Sequence, residues 1–406
     1  MNSIELFAGA GGMSLGLEKA GWRSKLLIER DSHACNTLRL NRENEFHLSR
    51  SWNVLEGDVR DVDYGSIEEK IDLIAGGPPC QPFSLGGKHN AHLDERDMFP
   101  EAIRAIRELR PKYFLFENVK GLLRKSFAEY FGYILIRLRN PFETNNRGES
   151  WQKHLARLTS LENTRGAQGS SSAYEVSFQL VDAANHGVPQ HRHRIVIVGV
   201  RKDLGFTFKF PRASHSAESL LIDKYVSGKY WDKVGLAAEE DHFSYKALEK
   251  RIARLRDRPE FSFCRLKPHV TVQEAIGDLP FPLAEGSDQI DNHQLRLGAK
   301  PYPGHTGSLL HFPSKAIKAG VHGVPGGENM IAYADGSYRY YTTREAARVQ
   351  TFPDRYIFTG SWTESMRQIG NAVPVSLAAK IGSALRSQAA ENEEKARRKV
   401  GALQSA

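Results

Sequence analysis

The first third of the chain alternates short apolar runs with stretches of helical periodicity, and this alternation restricts the possible folds more than any other feature. Such alternation is typical of βα units, which build a parallel sheet with helices on both faces. We therefore predict an α/β fold with a doubly wound, mostly parallel sheet. Strands are predicted at 4–7, 25–28, 52–55, 71–75, 113–116, 178–181 and 195–200, and helices at 12–20, 33–41 and 99–109.

The remainder of the chain predicts a second lobe. A length of 406 residues exceeds that of most single domains. Beyond Gly205 the βα rhythm is lost, and glycine, proline and basic residues dominate until helical periodicity returns near residue 342. We predict a first domain at 1–204 with a surface insertion at about 139–173, a smaller second domain at 205–341, a C-terminal segment at 342–390 that returns to the first domain, and a charged tail at 391–406.

Charge and cysteine usage narrow the functional classes. The net charge is +8, and residues 201–270 hold 15 Lys and Arg against 10 Asp and Glu, which suits a polyanionic partner such as nucleic acid. The three cysteines, Cys35, Cys80 and Cys264, are odd in number and far apart. That spacing favours neither a disulfide framework nor a CxxC metal site, so no metal is expected.

The hydropathy pattern indicates a cytoplasmic protein. No run approaches the roughly 18 apolar residues that a membrane-spanning helix needs. The N-terminus moves directly into MNSIELFAG, without the basic and apolar regions of a signal peptide. We therefore expect no membrane partner.

Polar or reactive groups follow each of the first five predicted strands. A glycine loop follows the first, and Glu29, Asp58, Cys80 and Glu117 follow the next four. In a doubly wound sheet these positions lie along the carboxyl edge, where ligands bind. Loop residues are polar in any case, and that alternative holds for each position alone, but chance explains the set of five poorly.

The segment FAGAGG at 7–12 predicts a loop that approaches a ligand closely, since it follows a strand and opens a helix. It matches the GxGxxG fingerprint only in part, because Ser14 stands at the last position. Glu29 comes 20 residues after Gly9 and suits the hydroxyls of a ribose, while Asp58 suits an adenine amino group. Alternatively, either carboxylate caps a helix. Together these features predict an adenosine-containing ligand.

The segment GGPPCQPFS at 76–84 places a cysteine among prolines that restrict the backbone. A lone Cys80 is an ordinary packing residue in many proteins, but this position at a strand end favours a nucleophile for an electron-poor carbon. Such chemistry needs an acid near the site where charge develops. Glu117 is the predicted acid, kept neutral by burial and oriented by Asn118; the alternative is a carboxylate that only satisfies backbone amides.

The segment QHRHR at 190–194 leads into an apolar strand, and its alternation predicts that Gln190, Arg192 and Arg194 share one face. Two arginines at a cleft suit a phosphate and a carbonyl or carboxylate, although an ordinary basic strand end is the alternative. His191 and His193 on the other face lack a ligand set and are predicted to be surface groups.

In their order along the chain, these motifs resemble the DNA (cytosine-5) methyltransferases of bacterial restriction-modification systems. The resemblance extends from ELFAGAGG through IERD, GDV, PPCQPFS, ENV and QxRxR to TTREAARVQTFPD and GNAVP. It implies a Rossmann-like methyltransferase fold, S-adenosyl-L-methionine as methyl donor and double-stranded DNA as substrate, bound by a monomer in the cytoplasm at the nucleoid. It also implies that 205–341 recognises the target sequence and that a restriction endonuclease is a possible functional partner.

The resemblance assigns roles to individual residues. Cys80 would attack C6 of a cytosine extruded from the duplex, while Glu117, Arg192 and Arg194 would engage that base. The residues implied to contact S-adenosylmethionine are Phe7, Gly9, Gly11, Gly12, Glu29, Asp58 and Asn371.

Two basic segments and three rival functions stay open. Arg344 and Arg348 either brace the domain junction or reach phosphate, and the basic stretch at 250–258 either contacts phosphates or forms a solvated helix face. The rivals are a tRNA cytosine methyltransferase, a catalytically silent DNA-binding protein with the same fold, and a nicotinamide-dependent oxidoreductase, which Ser14 disfavours.

Overall fold

The computed structural model describes residues 1–79, 97–167, 173–237, 242–257, 266–303, 305–320 and 329–404. Cys80, the predicted nucleophile, lies outside these ranges, as does Cys264. Within the described ranges, seven strands form the central sheet: β1 (Asn2–Leu6), β2 (Arg23–Glu29), β3 (Asn53–Glu56), β4 (Leu73–Gly76), β5 (Tyr113–Val119), β6 (Tyr174–Asp182) and β7 (His193–Arg201). All seven predicted strands are confirmed, with ends that shift by a few residues.

The sheet has the order β3-β2-β1-β4-β5-β7-β6. The first five of these strands run parallel, whereas β7 pairs antiparallel with β5 and β6 pairs antiparallel with β7. The chain order reverses between β1 and β4, so their carboxyl ends border the crevice where doubly wound sheets bind ligands. The α/β fold with a doubly wound, mostly parallel sheet is therefore confirmed.

Helices cover both faces of the sheet. The first lobe contains α1 (Gly12–Lys19), α2 (Ser32–Glu43), α3 (Phe99–Leu109), α4 (Ala128–Arg139) and α5 (Trp151–Ala167). Helix α2 begins at Asp31, whose side chain accepts a hydrogen bond from the Ala34 amide at 2.9 Å. Helix α3 ends where Arg110 takes a left-handed conformation directly before Pro111. The three helices predicted from periodicity are thus confirmed.

Successive side chains of each strand point to opposite faces of the sheet, and a hydrophobic core therefore forms on each face. Phe114 and Phe116 of β5 pack on one face with α3 and α4, while Tyr113 and Leu115 pack on the other face with α1 and the C-terminal helix. Burial of each such aromatic side chain stabilises the fold by about 1.5–3 kcal/mol. The sheet is therefore a rigid platform for the groups at its carboxyl edge.

The second lobe is irregular and held by short elements. It contains β8 (His215–Ser216), α6 (Ala217–Tyr225), α7 (Lys229–Val234), α8 (His242–Arg256), β9 (Lys267–Pro268), α9 (Val272–Ile276), β10 (Ser308–Leu309), β11 (Met330–Ala332) and β12 (Tyr338–Tyr340). In α8, Ile252 and Leu255 are buried while Arg251 is exposed and pairs with Glu218. The basic stretch therefore has an inner apolar side and an outer charged side, which leaves both of its predicted roles open.

The C-terminal segment joins the two lobes through α10 (Thr343–Val349), α11 (Trp362–Asn371) and α12 (Val375–Gln404). Helix α12 lies against α1 so closely that a Cβ at Gly16 would come within 2.5 Å of the Ala378 Cβ. The helix continues through 391–404, where most of the described side chains are exposed. No helix in the described ranges is long and apolar enough to span a membrane.

Arg344 and Arg348 brace this junction, which confirms the structural alternative for both. The Arg344 guanidinium is fully buried and donates to three backbone carbonyls, those of Asp291, Pro353 and Tyr356, at 3.0–3.2 Å. Arg348 donates to both oxygens of Asp354 at 2.8 Å and to Asp278 of the second lobe.

Candidate active site at the carboxyl edge of the sheet

The loop between β1 and α1 is held in an unusual backbone conformation. Phe7, Gly9 and Gly11 have positive φ angles of 58°, 52° and 75°. Apart from Gly9 itself and its two chain neighbours, no described residue has an atom within 4 Å of a Cβ placed at Gly9, whereas a Cβ at Gly12 would lie 2.4 Å from the Val373 carbonyl oxygen. Gly12 therefore admits the C-terminal segment, and Gly9 leaves open space in which a ligand can approach the backbone.

Glu29 at the end of β2 holds this loop from the side. Its Oε2 accepts a hydrogen bond from the Gly9 amide at 2.7 Å, and its Oε1 accepts from the amides of Arg30 and Asp31 at 2.8 Å each. The helix-cap alternative is wrong for Glu29, because Asp31 caps α2. Two carboxylate oxygens offer about four acceptor positions, so Glu29 retains capacity for a ligand hydroxyl.

Asp58 follows β3 and is bound by Arg60. Its Oδ1 accepts from the Arg60 backbone amide at 3.0 Å and from Nε at 2.9 Å, and Oδ2 accepts from Nη2 at 2.7 Å. The cap alternative is confirmed for Asp58, which begins a single 3-10 turn. The hydrogen bonds from Arg60 lower the pKa of Asp58 to about 2, so its carboxylate is an acceptor throughout the neutral range.

The structure also explains Ser14, the departure from the glycine fingerprint. The Ser14 amide donates to Glu5 Oε2 at 2.9 Å, and the Ser14 hydroxyl donates to the same oxygen. Burial raises the pKa of Glu5 to about 8. Glu5 thus ties β1 to the first turn of α1 beneath the glycine loop. Sequence reasoning missed this residue, although an acidic side chain within an apolar strand was the available signal.

Asn371, the last predicted cofactor residue, ends α11 beside the glycine loop. Its side chain is exposed, and the following residues contact the loop, since a Cβ at Gly12 would lie 3.3 Å from the Ala372 Cβ. The structure therefore brings the glycine loop, Glu29 and the Asn371 segment together at one end of the crevice.

Glu117 and Arg194 form a buried ion pair at the end of β5. Arg194 Nε lies 2.6 Å from Glu117 Oε1, and Glu117 is 8% exposed. The contact is not aligned as a hydrogen bond, and among the described residues Oε1 has no hydrogen-bond partner. The neutral Glu117 expected from the sequence stays a prediction.

The predicted role of Asn118 in orienting Glu117 is wrong. The Asn118 Nδ2 donates to the Pro78 carbonyl at 2.9 Å, and its Oδ1 accepts from the Val119 amide at 2.8 Å. Adjacent strand residues point to opposite faces of a sheet, which separates the two side chains. Asn118 instead holds the segment that leads to Cys80.

The face prediction for QHRHR is confirmed, because Gln190 and Arg192 are buried whereas His191 and His193 are exposed. Arg192 nevertheless lies apart from Glu117. Its Nη1 donates to the Ile317 carbonyl at 3.2 Å and its Nη2 to the Gly370 carbonyl at 2.8 Å. The structure thus brings Arg194, and not Arg192, into contact with the acid.

Gln190 extends this buried network. Its Oε1 accepts from the Ile317 amide at 3.0 Å, and its Nε2 donates to Gln350 Oε1 at 3.1 Å. Gln350 in turn donates to the carbonyls of Ile369 and Ala372. The residues before β7 therefore connect the second lobe to the segment that carries Asn371.

A cleft of about 560 Å³ opens beside Arg194. This volume lies within the range of small-molecule sites. Its walls combine apolar side chains with a cationic rim, and they are formed by Val119, Lys120, Gly121, Leu123, Arg124, Leu180, His191, His193, Arg194 and Ala316. His191 Nδ1 lies 2.8 Å from Asp182 Oδ2. Such a lining suits a flat base with an attached phosphate.

The residues on either side of 80–96, the range that contains Cys80, lie close to each other and to Glu117. The Pro79 carbonyl accepts a hydrogen bond from the Met98 amide at 3.1 Å, and a Cβ at Gly77 would lie 3.6 Å from Glu117 Oε2. Within the described ranges, no three His, Cys, Asp or Glu side chains are grouped so that they could hold a metal ion.

Comparisons with known proteins agree with this arrangement. The family model described as C-5 cytosine-specific DNA methylase matches residues 1–141 and 167–387. The Type II methyltransferase M.PspPI of Psychrobacter sp. is 34% identical over 94% of this chain and 78% of its own length. The Type II methyltransferase M.NgoMIV of Neisseria gonorrhoeae is 31% identical over 94% of this chain and 95% of its own length.

Solved structures agree in fold. The S. pombe Dnmt2 methyltransferase superposes with a TM-score of 0.53 and 16% identity over 96% of this chain and 98% of its own. A Spodoptera frugiperda DNMT2 mutant gives the same TM-score and identity over 95% of this chain and 99% of its own.

Proposed function

This chain belongs to the C-5 cytosine-specific DNA methylase family, and from that premise we propose that it methylates C5 of a cytosine within a specific double-stranded DNA sequence, using S-adenosyl-L-methionine. The family membership and the curated relatives make it a DNA cytosine-5 methyltransferase. One observation carries the more detailed proposal. Glu117 is buried, and its Oε1 lies 2.6 Å from Nε of Arg194, which lines the 560 Å³ cleft. Its Oε2 would lie 3.6 Å from a Cβ at Gly77, in the chain segment that leads to Cys80.

The cofactor half of the crevice fits an adenosine. The open space at Gly9 admits a ligand to the backbone, Glu29 retains acceptor positions for ribose hydroxyls, and the Asp58 carboxylate suits an amino group. We assign cofactor contacts to Phe7, Gly9, Gly11, Gly12, Glu29, Asp58 and Asn371. When bound, S-adenosylmethionine supplies an electrophilic methyl group on a sulfonium.

The target carbon is inaccessible within a stacked duplex, so the cytosine must be extruded into the cleft at a cost of roughly a few kcal/mol. There the Cys80 thiolate forms a bond to C6. The displaced electron pair is accommodated because Glu117 protonates N3 and Arg194 binds the carbonyl oxygen of the base. For this step Glu117 must carry a proton, and a hydrogen bond from its carboxyl group to N3 of the base would favour this protonated form.

The resulting enamine makes C5 nucleophilic. After C5 has gained the methyl group, loss of its proton to a base returns the electron pair to the ring and expels the Cys80 thiolate. The proton on N3 then passes back to Glu117, which restores the starting state of the acid. Arg192 donates to the Ile317 and Gly370 carbonyls and would act mainly by fixing the position of the Asn371 segment relative to the second lobe.

The proposal includes partners outside the site. Residues 205–341 would read the DNA sequence, and the catalytic lobe would act as a monomer on DNA in the cytoplasm. Relatives named Type II methyltransferases favour a restriction-modification system with a partner endonuclease.

Base-resolution cytosine methylation mapping of a plasmid expressed with the protein tests the proposal. We expect methylcytosine at one recurring sequence, and none in a Cys80→Ala host. Methylation that survives in Cys80→Ala would remove Cys80 from the mechanism. Methyl transfer to tRNA but not to DNA in a parallel assay would instead favour the tRNA enzyme.

A further inference from the structure

The internal segment that the family model does not match, residues 142–166, lies within the predicted insertion and is well packed. Helix α5 lies against α4 with Leu158 fully buried between them. Ion pairs at 2.7–3.0 Å fix the helix at several points along its length, and they join Arg139 to Glu162, Arg157 to Glu149, and Arg165 to Glu143.

Trp151 at the start of α5 contacts Tyr130 of α4 edge to face, with ring centroids 5.3 Å apart and planes at 89°. Aromatic pairs in this geometry are stabilising beyond the area they bury. The Tyr130 hydroxyl donates a hydrogen bond to Asp97 Oδ2. The insertion therefore holds, through two aromatic rings, a residue far outside itself.

Asp97 stands immediately before α3 at the return of the chain from the Cys80 segment. Its Oδ1 accepts from the Phe99 amide at 3.2 Å, and the neighbouring Met98 amide donates to the Pro79 carbonyl at 3.1 Å. Cys80 is joined to Pro79 by a peptide bond. The contacts therefore lead from Trp151 through Tyr130, Asp97 and Met98 to the residue that precedes the thiol.

We propose that Tyr130 and Asp97 are positioning residues for the Cys80 thiol, and that the insertion braces them through Trp151. This inference rests on the proposed function, in which Cys80 is the nucleophile. A displacement of about 1 Å at a reacting atom can lower a rate roughly a hundredfold, so a small shift of Pro79 is enough to matter. The residues assigned to the cofactor lie on other elements, and none of the contacts described above involves them.

Tyr130→Phe tests the inference, because it removes the hydroxyl and keeps the ring. We expect kcat, and the rate of covalent trapping of Cys80 by 5-fluorocytosine DNA, to fall about tenfold, the effect of losing one charge-assisted hydrogen bond. The KM for S-adenosylmethionine and the Kd for DNA should stay within about twofold. Tyr133→Phe is the matched control, since Tyr133 lies in the same aromatic cluster but its hydroxyl bonds His154 Nδ1 at 2.9 Å.

Trp151 provides the link to the insertion. Trp151→Ala should lower the trapping rate in the same way, and Trp151→Phe should restore most of it. If Tyr130→Phe does not fold, as judged by its thermal midpoint, Asp97→Asn gives the same readouts with the hydroxyl in place.

Three outcomes would overturn the inference. Wild-type trapping and kcat in both Tyr130→Phe and Asp97→Asn would do so, as would an equal loss in Tyr133→Phe. A weaker DNA affinity with a reduced salt dependence would show that the insertion contacts DNA instead. All three leave Cys80 as the nucleophile, whereas methylation or trapping without Cys80 would refute the proposed function itself.

Discussion

Two carboxyl groups buried at the sheet, Glu5 and Glu117, have opposite surroundings. Glu5 accepts two hydrogen bonds from Ser14, and burial raises its pKa to about 8. Glu117 lies against Arg194, and among the described residues its Oε1 lacks a hydrogen bond. The polar groups beneath the cofactor loop are therefore satisfied within the chain. Beside the cleft, Glu117 is held by its ion pair with Arg194, and its carboxyl group keeps positions at which an incoming base can form a hydrogen bond.

This difference indicates that the cofactor side and the substrate side of the carboxyl edge are organised differently. The glycine loop is held in a binding conformation by Glu29 and, from below, by Glu5 through Ser14. On the substrate side the groups converge only partly, and in the proposed mechanism the extruded cytosine completes the set of contacts. Changes on the substrate side should therefore act on the chemical step, and changes on the cofactor side should act on cofactor affinity and stability.

Glu117→Gln should give the largest effect. The amide keeps the shape of the side chain but cannot protonate N3, and loss of a general acid typically costs about 10²–10⁴-fold in rate. We expect single-turnover methylation to fall by that factor while the KM for S-adenosylmethionine stays unchanged. A comparable rise in that KM would mean that the two halves are not separate.

Arg192→Lys should affect both lobes more moderately. The lysine keeps the charge but cannot donate to the Ile317 and Gly370 carbonyls together, and loss of one such bond costs roughly 1.5–3 kcal/mol of unfolding free energy. We expect the KM for S-adenosylmethionine to rise several-fold more than kcat falls. A selective loss of kcat would instead support the direct contact with the base that the family resemblance implies.

The sequence predicted what depends on local periodicity and missed what depends on distant partners. The strands and the first three helices followed from the alternation of apolar runs with helical periodicity, and from helix-ending residues such as Pro111. β6 begins four residues before its predicted start, because residues 174–177 are held by pairing with residues 198–201 of β7, which the local sequence pattern does not show. The sequence predicted only a surface insertion at about 139–173, where the structure has the 17-residue helix α5, because the stability of this helix comes from packing on α4.

The same limit applies within the site. The positions of the glycine loop, Glu29 and Glu117 at the site were predictable, because a parallel sheet brings the ends of its strands together. Alternation gave the correct face for Arg192, but its partners Ile317 and Gly370 lie 125 and 178 residues away. No local pattern could show that this arginine is enclosed by the second lobe.

Lys120 and Arg124 on the rim of the cleft test the substrate half from the outside. Both side chains are exposed and line the cleft, where they suit DNA phosphates. Each contact removed should lower the slope of log Kd for DNA against log salt by about 0.9, so the double alanine variant should lose about two. Cofactor affinity should not change. An unaltered salt slope would place the DNA backbone elsewhere.

Glu5→Gln should give the smallest and most specific effect, a change in the pH dependence of stability. The pKa of Glu5 is about 8 in the folded chain against an ordinary value of 4.5, so the folded state binds more protons between these values. The stability that neutral Glu5 provides is complete below about pH 4.5 and is lost as the pH rises through about 8. Between pH 6 and 9 the wild type should therefore lose unfolding free energy relative to Glu5→Gln, which urea titrations at both pH values would measure. Parallel curves would mean that Glu5 is ionised when buried, and the proposed contrast with Glu117 would then fail.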